Sequence, residues 1–485
     1  MKTILWLLIG PLLFCSLSPR FVAAAGKPNI IFILADDLGY GDLGCYGQRT
    51  IQTPNIDRLA AEGMKFTQFY SGASVCAPSR CVLMTGKNTG HCRVRGNAPV
   101  TKRAKQSLTH DDVTVAARLE QAGYKTRLIG KWGLGMDDMP GHPLEQGFGY
   151  FFGYLDQVHA HNYYPDYLWR NREKVRLPNE VRPISVGRNG EWGTGGIATK
   201  RVVYSPKLML DEALAFIDQN KSQPFFLYFA TTIPHANDEA VKAPAGAAEV
   251  PDLGIYENKP WPLPERGYAA MITYLDTQVG ILLERLKQLG LDDNTLVIFS
   301  SDNGPELKQF TAWDPEFFKS AGPLRGFKRD NYEGGIREPF IARWPGKIRP
   351  GSVSAHVGYF GDFFATAMEL TGTTTPAGLD SISFAPTLLG RAAGQRKHEF
   401  LYWEFHTGNL STQAALLDGR WKGVRQVRSI PLELYDLASD VGESHNVVAE
   451  HPEIADRLLK YLATAREDVP NWPLHPLPES QAQIK

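Results

Sequence analysis

The sequence predicts an α/β protein whose large, mainly parallel central sheet is flanked by helices. Short apolar runs rich in β-branched and aromatic residues alternate with segments of helical period over most of the chain, which is typical of parallel strands buried on both faces. From about residue 391 the pattern changes to short strand-like runs that follow one another closely, and a helical segment comes after them. This second pattern predicts a smaller C-terminal subdomain, built from an antiparallel sheet and a helix.

Length and charge limit the classes of function. The 485 residues are enough for one large core and a smaller domain, and we expect a large domain over residues 26–390 and a C-terminal subdomain over residues 391–485. Lys plus Arg and Asp plus Glu both number 52, so the formal net charge is zero. Nothing in this balance indicates a nucleic-acid partner, and any positive site must be local.

Residues 1–25 have the pattern of a cleaved signal peptide. Lys2 gives a minimal charged start, residues 4–14 are apolar, and three alanines at residues 23–25 offer a small-residue cleavage site. The apolar run is interrupted by Pro11 and is too short for a membrane anchor, and no second run of spanning length follows. We therefore expect an exported protein, periplasmic or secreted, without a membrane anchor.

Four of the predicted strands end in polar side chains. Because the carboxyl ends of parallel strands meet at one edge of a sheet, where ligands bind, these side chains should lie close together. The adjacent carboxylates of Asp36 and Asp37 favour a hard metal cation over an ordinary Asp turn. The strands are residues 30–35, 124–129, 224–230 and 295–300, and the polar residues after them are Asp36, Asp37, Lys131, His235, Asp302 and Asn303.

The segment over residues 74–86 places a thiol at the start of a helix. Pro78 suits the first turn of a helix, and Gly86 can end it. Cys76 then lies at the helix N-terminus, where free N–H groups and the macrodipole favour an anion. Arg80 is four residues further and can share a helix face with Cys76.

This segment, Cys-x-Pro-Ser-Arg followed by Thr-Gly, resembles the signature of the type I sulfatases, whose fold is that of the alkaline-phosphatase-like superfamily. The resemblance extends over nearly the whole mature chain, including Tyr-Glu-Gly-Gly-Ile-Arg-Glu-Pro at residues 332–339. It implies that Cys76 is oxidised to formylglycine by a formylglycine-generating or anaerobic maturing enzyme. That enzyme would read Cys76, Pro78 and Arg80.

The resemblance also implies a set of site residues around one calcium ion. Its ligands would be three carboxylates, an amide and the formylglycine, and three cations and a histidine would surround the sulfate. With three carboxylates (−3), Ca²⁺ (+2) and three cations (+3), the site sums to +2, which a sulfate ester (−1) and an alkoxide (−1) would cancel. The ligand positions are Asp36, Asp37, Asp302, Asn303 and Cys76, and the sulfate-binding positions are Arg80, Lys131, Lys328 and His235.

The implied reaction is hydrolysis of a sulfate ester on a sulfated saccharide or an aryl sulfate. One hydroxyl of the hydrated aldehyde, deprotonated with help from Asp302 and calcium, would attack sulfur while the cations hold the other oxygens. His235 or Lys328 would protonate the leaving oxygen. Loss of the second hydroxyl proton would then re-form the aldehyde and release sulfate.

One position departs from the family pattern. The family usually has Gly-Lys-Trp-His-Leu-Gly, and the resemblance implies that its histidine serves sulfate release. This chain has Gly133 in place of that histidine. His161, in a His- and Tyr-rich segment, is a candidate for the missing imidazole or for a rim residue that contacts substrate.

Two other functions are compatible with the same residues. A phosphate or phosphonate monoesterase would share the scaffold but usually has Ser or Thr and a His-rich two-metal cage, whereas the ligands here are oxygen atoms. A sulfated-glycan binding protein without turnover would fit Gly133, although the Cys76 motif argues against it. One disulfide is possible among Cys45, Cys81 and Cys92, and its pairing stays open.

Two segments near the predicted site lack a clear period. Residues 170–196 are polar and glycine-rich, and we expect a long surface excursion there. Residues 237–266 are proline-rich and irregular, and an insertion of this kind at the active edge usually shapes specificity.

Overall fold

The computed structural model describes residues 26–243, 247–407, 410–426 and 430–474. The predicted signal peptide lies outside the described residues. The strands are β1 (Asn29–Ala35), β2 (Met64–Phe66), β3 (Phe69–Tyr70), β4 (Lys125–Lys131), β5 (Tyr150–Tyr154), β6 (Tyr167–Arg170), β7 (Glu173–Arg176), β8 (Glu180–Val186), β9 (Gly193–Lys200), β10 (Phe225–Ala230), β11 (Thr295–Ser301), β12 (Phe340–Arg343), β13 (Ser352–Ser354), β14 (Gly358–Tyr359), β15 (Phe400–Thr407), β16 (Leu410–Leu417), β17 (Trp421–Arg425) and β18 (Glu433–Asp436).

The helices follow the strands in the alternation that the sequence predicts. Three short 3₁₀ helices, Val100–Gln106, His159–His161 and Asp238–Ala240, matter for the site. The α-helices are α1 (Pro54–Ala61), α2 (Cys76–Thr85), α3 (Val115–Gln121), α4 (Ser205–Gln219), α5 (Leu263–Gln288), α6 (Glu333–Ile336), α7 (Asp362–Thr371), α8 (Ala385–Leu388) and α9 (Pro452–Thr464). Among the described helices, none combines the length and the apolar character needed to span a bilayer.

The central sheet has ten strands in the order β13-β2-β12-β11-β1-β10-β4-β5-β6-β7. Its middle, from β11 through β1, β10 and β4 to β5, is parallel, and β12 adds an antiparallel neighbour to β11. A separate antiparallel sheet of β15 to β18 lies near the C-terminus and packs with α9. The predicted fold class is confirmed.

The first strand shows why the sheet is covered on both faces. All of β1 is buried, and its side chains alternate between two hydrophobic clusters: Ile30 and Phe32 belong to one, Ile31 and Ile33 to the other. Since successive side chains of a strand point to opposite faces, each cluster is the core on one side of the sheet. Only the strand ends are left to carry polar groups.

One local prediction was wrong. Residues 170–196 are not an irregular excursion, because they contain β7, β8 and the start of β9, and β8 pairs with β9 as a hairpin. Many side chains of β8 are exposed, so no alternation of apolar and polar residues marks it.

The C-terminal sheet is tied to the catalytic part through polar contacts. The indole nitrogen of Trp403 donates to the Ser71 carbonyl over 3.0 Å, and Arg95 pairs with Glu404 at 3.1 Å. The division at residue 391 stays a prediction. The four described cysteines are free thiols, so no disulfide is formed among Cys45, Cys81 and Cys92.

Candidate active site

Cys76 is the first residue of α2. Val75 before it is extended (φ −149°, ψ 160°), and Gly86 ends the helix in a left-handed conformation (φ 68°), as the sequence predicts. The thiol is buried, and Nδ2 of Asn97 is 3.6 Å from its sulfur. The helix begins four residues before Arg80, so Pro78 lies within the first turn, where its missing N–H costs no helical hydrogen bond.

Asp36 and Asp37 follow β1 directly. Adjacent residues of a strand point to opposite faces, but Asp37 has a positive φ of 65°, and this left-handed backbone ends the alternation. Both carboxylates are fully buried and meet a lysine each: Lys131 Nζ lies 2.7 Å from Oδ2 of Asp36, and Lys328 Nζ lies 2.8 Å from Oδ2 of Asp37. Functional sites are where strained backbone of this kind is usually found.

Asp302 and Asn303 join the aspartates from the neighbouring strand. One oxygen of Asp302 accepts from Arg80 (Nε 3.0 Å, Nη2 2.8 Å), and the other accepts from the backbone N–H of Asp37 at 3.2 Å. The amide nitrogen of Asn303 donates to Oδ1 of Asp37 over 2.7 Å. The structure thus brings together the carboxylates and the amide that the sequence predicts.

This group fits a hard cation. Oδ1 of Asp36 and Oδ1 of Asn303 are buried oxygen atoms without a hydrogen-bond partner among the described residues, and such orphaned acceptors need an explanation such as an ion. Ligand atoms of Asp36, Asp37 and His235 lie within 4.8 Å of one another. Oxygen donors of this type suit Ca²⁺ or Mg²⁺ better than zinc.

Each carboxylate of the group is matched by a cation. Burial opposes the charge of both lysines, but the surrounding negative charges together outweigh it. The largest of these is Asp36 for Lys131, and Asp37 followed by Glu306 for Lys328, so the pKa of each lysine is raised. Arg80, which is fully buried, is held charged mainly by Asp302. Burial raises the pKa of Asp37 to about 7 and also raises that of Asp302, and a divalent cation beside them would favour their ionised forms. With all three carboxylates ionised they cancel the three cations, and the ion would leave the +2 that the sequence analysis predicts.

His235 is neutral and oriented by its two ring contacts. Its Nδ1 lies 2.7 Å from the Ala236 carbonyl, which only accepts, so Nδ1 carries the proton. Its Nε2 then presents a lone pair to Lys328 Nζ at 3.1 Å. Burial and the charge of Lys328 lower the pKa of His235 well below its ordinary value, which agrees with this arrangement.

Sequence reasoning missed a second ion pair beside Lys328. Glu306 lies 3.1 Å from Lys328 Nζ and also pairs with Arg329. Glu306 comes four residues after Asp302, on the same strand-end loop. This closeness in sequence could have identified it as a residue of the site. Because Arg329 balances Glu306, the pair leaves the charge sum unchanged.

His161 reaches the site by stacking on His235. The two rings are 4.7 Å apart and nearly parallel, and Nδ1 of His161 lies 3.2 Å from Oε1 of Glu239. Burial lowers the pKa of His161, but Asp238 and Glu239 outweigh that effect and raise it above its ordinary value. A cationic imidazole is therefore favoured here, which suits anion binding more than proton abstraction.

The space beside Gly133 is occupied by a side chain that the sequence analysis did not identify. A Cβ atom at this position would lie 1.9 Å from Nε2 of Gln157, and Gly133 has a positive φ of 80°. The Gln157 side chain therefore occupies the space beside Gly133. Its amide nitrogen and oxygen are buried and have no hydrogen-bond partner among the described residues.

A cavity of about 710 Å³ opens over these groups. We call the buried part of its lining the floor; it includes Cys76, Lys131 and Lys328, and Gln157 and His161 also line the cavity. We call the more exposed part of its lining the mouth; it comes from three segments far apart in the chain, near residues 97–106, 186–192 and 471–473. Two tryptophans, Trp192 and Trp472, belong to these segments.

Comparison with known proteins decides the family. A family model described as Sulfatase matches residues 28–373, and a model of the C-terminal region of N-sulphoglucosamine sulphohydrolase matches residues 326–468. The chain belongs to the sulfatase family. Sulfate ester hydrolysis is the activity of this family, so the enzyme class and the resemblance predicted from the sequence are confirmed.

Individual sulfatases match over most of the chain. N-acetylgalactosamine-6-O-sulfatase of Bacteroides thetaiotaomicron is 31% identical over 507 residues, covering 91% of this chain and 93% of that protein. Human N-acetylgalactosamine-6-sulfatase is 35% identical over 380 residues, covering 76% of this chain, and the chain spans 66% of the length of the human protein. The crystal structure of Ps i-CgsB in complex with k-i-k-neocarrahexaose superimposes with a TM-score of 0.75 at 26% identity, covering 94% and 96% of the two chains.

Proposed function

We propose that this sulfatase removes sulfate from a sulfated saccharide, using formylglycine made from Cys76 and one bound calcium ion. The observation that carries the proposal is the location of Cys76. It lies at the helix N-terminus, on the floor of the same cavity as Lys131 and Lys328. Lys131 and Lys328 line this cavity with Cys76, and Arg80 lies one turn further along the same helix, so three cations lie close to this one position.

The metal site supports a hard cation held by the strand ends. Asp36, Asp37, Asp302 and Asn303 would be its protein ligands, together with the converted side chain at Cys76. When bound, such an ion supplies positive charge for the sulfate oxygens and lowers the pKa of a hydroxyl group. The buried oxygens without partners, on Asp36 and Asn303, support this assignment.

A hydrated aldehyde at Cys76 would supply the oxygen nucleophile, and other residues of the chain provide the fixed charges around it. Arg80 is locked by Asp302 and by the Lys131 carbonyl, to which its Nη1 donates over 2.6 Å. Such preorganised cations stabilise charge that develops on the sulfate oxygens without further reorganisation. The net reaction consumes one water: the ester R–O–SO₃⁻ gives R–OH, SO₄²⁻ and H⁺.

Lys328 is the proton donor that the contacts support. Since Nδ1 of His235 is bonded to a carbonyl, Nε2 of His235 has no proton to give. It can accept from Lys328 and direct the ammonium group into the cavity. Lys328 would therefore protonate the leaving oxygen, with His235 as a residue that positions it.

Sulfate release involves no histidine at position 133 in this proposal. His161, held as a cation by Glu239, binds a sulfate oxygen, and the Gln157 amide donates to a second one. Both side chains face the cavity. The base for the release step is then one of the strand-end carboxylates, Asp36, Asp37 or Asp302.

A saccharide fits the cavity better than a small aryl group. The volume of about 710 Å³ exceeds what a single ring fills, and relatives are named for N-acetylgalactosamine 6-sulfate or are bound to a neocarrahexaose. We place the enzyme outside the cytoplasm, with a formylglycine-generating or anaerobic maturing enzyme as its partner. Neither alternative function gains support: His235 is the one histidine of the described metal cluster, and Lys328 occupies its Nε2.

Mass analysis of the peptide that contains Cys76 tests the proposal. Protein coexpressed with a maturing enzyme should contain an aldehyde at Cys76, whereas Cys81 in the same segment stays a thiol and serves as internal control. The rate of sulfate release should rise in proportion to the converted fraction, and Cys76→Ala should have only background activity. An unconverted Cys76 in protein that still hydrolyses sulfate esters would contradict the mechanism.

A further inference from the structure

We infer that the mouth of the cavity contains a second anion-binding subsite, which selects saccharides with an anionic group besides the sulfate that is removed. The subsite is formed by Lys102 and Lys105 in the segment Val100–Gln106, which we name the basic turn; it consists of two short 3₁₀ turns joined by a kink at Lys102 (φ −127°, ψ 26°). The inference rests on the proposed function, because it defines the substrate of the same cavity.

The basic turn is a fixed part of the cavity wall. Gln106 ties it to the floor, since Nε2 of Gln106 donates to the Gly133 carbonyl at 3.0 Å and its Oε1 accepts from the Ala98 N–H at 2.7 Å. At the other end, the Val100 N–H donates to the Glu191 carbonyl at 2.8 Å. The turn is thereby joined to the reaction centre on one side and to the β8–β9 hairpin on the other.

The charges of the turn are not all compensated. Arg103 pairs with Asp156 at 2.5 Å, so that position is neutral. Lys105 donates to the neutral carbonyl of Asn471 at 2.7 Å, and Lys102 is exposed. Within the described ranges, neither lysine forms an ion pair with a carboxylate, so two positive charges remain at the mouth while those of the floor are matched.

The same wall offers a surface for a sugar ring. The exposed aromatic face is that of Trp192, which is 37% exposed at the hairpin tip. Trp472 is buried and supports Lys105, whose Nζ is 5.5 Å from its ring centroid. Aromatic faces bury the apolar face of a sugar while polar tips stay hydrated. Cations beside aromatic rings at the end of a cavity therefore fit a saccharide that carries a sulfate or carboxylate beyond the scissile ester.

The test compares substrates that share one scissile ester. We would measure kcat/KM for N-acetylgalactosamine 6-sulfate, for its 4,6-disulfate and for a 6-sulfated disaccharide that contains a hexuronate. The double variant K102A/K105A should lose about tenfold or more in kcat/KM on the substrates with a second anion, mainly through KM, with a much smaller change on the monosulfate. K102R/K105R should retain the preference, and K221A/K347A, two exposed lysines outside the cavity, should behave as wild type.

The two substrates with a second anion show which anion the subsite binds. A loss of kcat/KM confined to the disulfate indicates sulfate, and a loss confined to the disaccharide indicates carboxylate. An equal loss on all three substrates, or none, would overturn the subsite. The inference can be tested even if the proposed function is wrong. Binding to the Cys76→Ser protein can be measured by calorimetry without turnover. In that background K102A/K105A should abolish the preference for the disulfate over the monosulfate, and a retained preference refutes the inference.

Discussion

The ammonium nitrogen of Lys328 lies 3.1 Å from Nε2 of His235, and that histidine has its proton on the other ring nitrogen. The lysine is therefore the donor of the pair. We expect Lys328→Met to lower kcat/KM on a sugar sulfate by about 10²–10⁴-fold, the usual contribution of a general acid. On p-nitrophenyl sulfate, whose leaving group needs little protonation, the loss should be at least tenfold smaller.

His235→Ala should give the same dependence on the leaving group with a smaller loss, since it only removes the group that orients Lys328. His110→Ala, at an exposed position, is the matched control. If both substrates lose the same factor in Lys328→Met, the lysine binds sulfate and does not protonate the leaving oxygen.

Removal of the metal should lower stability through the strand-end cluster. Adding Ca²⁺ at a hundred times its Kd should stabilise the folded protein by about 2.7 kcal/mol, because the ion binds only the folded state. In Asn303→Leu this increment should shrink, since the variant lacks the unpartnered Oδ1. Thermal unfolding with a chelator, Ca²⁺, Mg²⁺ or Zn²⁺ measures the increment for each ion.

The control for the metal experiment is Asn331→Leu, because Asn331 also has a buried unpartnered Oδ1 but lies outside the cluster. It should keep the full Ca²⁺ increment. A larger increment for Zn²⁺ than for Ca²⁺ would contradict the assignment to a hard cation.

The strand-end residues were predictable because their strands are strongly patterned. A continuous apolar run such as β1 has few alternatives to a buried parallel strand, and the carboxyl edge then fixes where Asp36 and Asp37 lie. Glu239 and Gln157 were not predictable in this way. Their contacts with His161 and Gly133 depend on how loops pack in three dimensions, and nothing in their local sequence records that packing.

The β8–β9 hairpin was missed for a related physical reason. Much of its surface is solvated, so neither period 2 nor period 3.6 appears in the pattern of apolar residues. Yet Trp192 at the hairpin tip lines the cavity, and the Glu191 carbonyl accepts from the Val100 N–H of the basic turn. The residues at the rim of the cavity are thus less visible in the sequence than those at the strand ends.

Glu443, a residue outside the active site, makes the free energy of unfolding depend on pH. It is buried and accepts from the Glu333 N–H at 2.7 Å, and Lys422 is 3.7 Å from its other oxygen. Burial raises the pKa of Glu443 to about 7, against the opposing charge of Lys422. Between pH 4.5 and about 7 the folded state keeps a proton that the unfolded chain has released, so the free energy of unfolding falls as pH rises through this window.

Glu443→Gln is neutral at every pH and should remove this dependence. Urea unfolding should give similar stabilities for variant and wild type at about pH 5 and a more stable variant at about pH 8, by up to about 3 kcal/mol. Glu453→Gln, at an exposed position, should show no such change. A constant difference between Glu443→Gln and wild type at both pH values would refute the buried proton.

His161 should act as a cation that holds sulfate. Since Glu239 and Asp238 raise its pKa, His161→Ala should raise KM and the inhibition constant of inorganic sulfate about tenfold while repeated turnover continues. Rapid-mixing kinetics check this: a burst of one product per enzyme followed by arrest would mean trapped sulfate and would assign His161 to the release step. Glu239→Gln should weaken sulfate binding most at high pH, where His161 would then lose its proton.

Gln157 and Gly133 should behave as one unit, because the glutamine amide occupies the space that a side chain at 133 would need. Gln157→Ala should lower kcat/KM about tenfold by loss of a hydrogen bond to a charged group. Gln157→Glu should lower it further and weaken inhibition by sulfate, since a carboxylate there repels the anion. Gly133→Ala should be harmful both through its positive φ and through contact with Gln157.

In the double variant G133A/Q157A the contact is gone and only the backbone strain remains, so the two losses should be less than additive. Gln121→Glu, at an exposed position on α3, controls for the added charge. Strictly additive losses would mean that the two residues do not share one space in the working enzyme. Unchanged inhibition by sulfate in Gln157→Glu would mean that the amide does not face the anion, and the release step would then depend on His161 and the carboxylates alone.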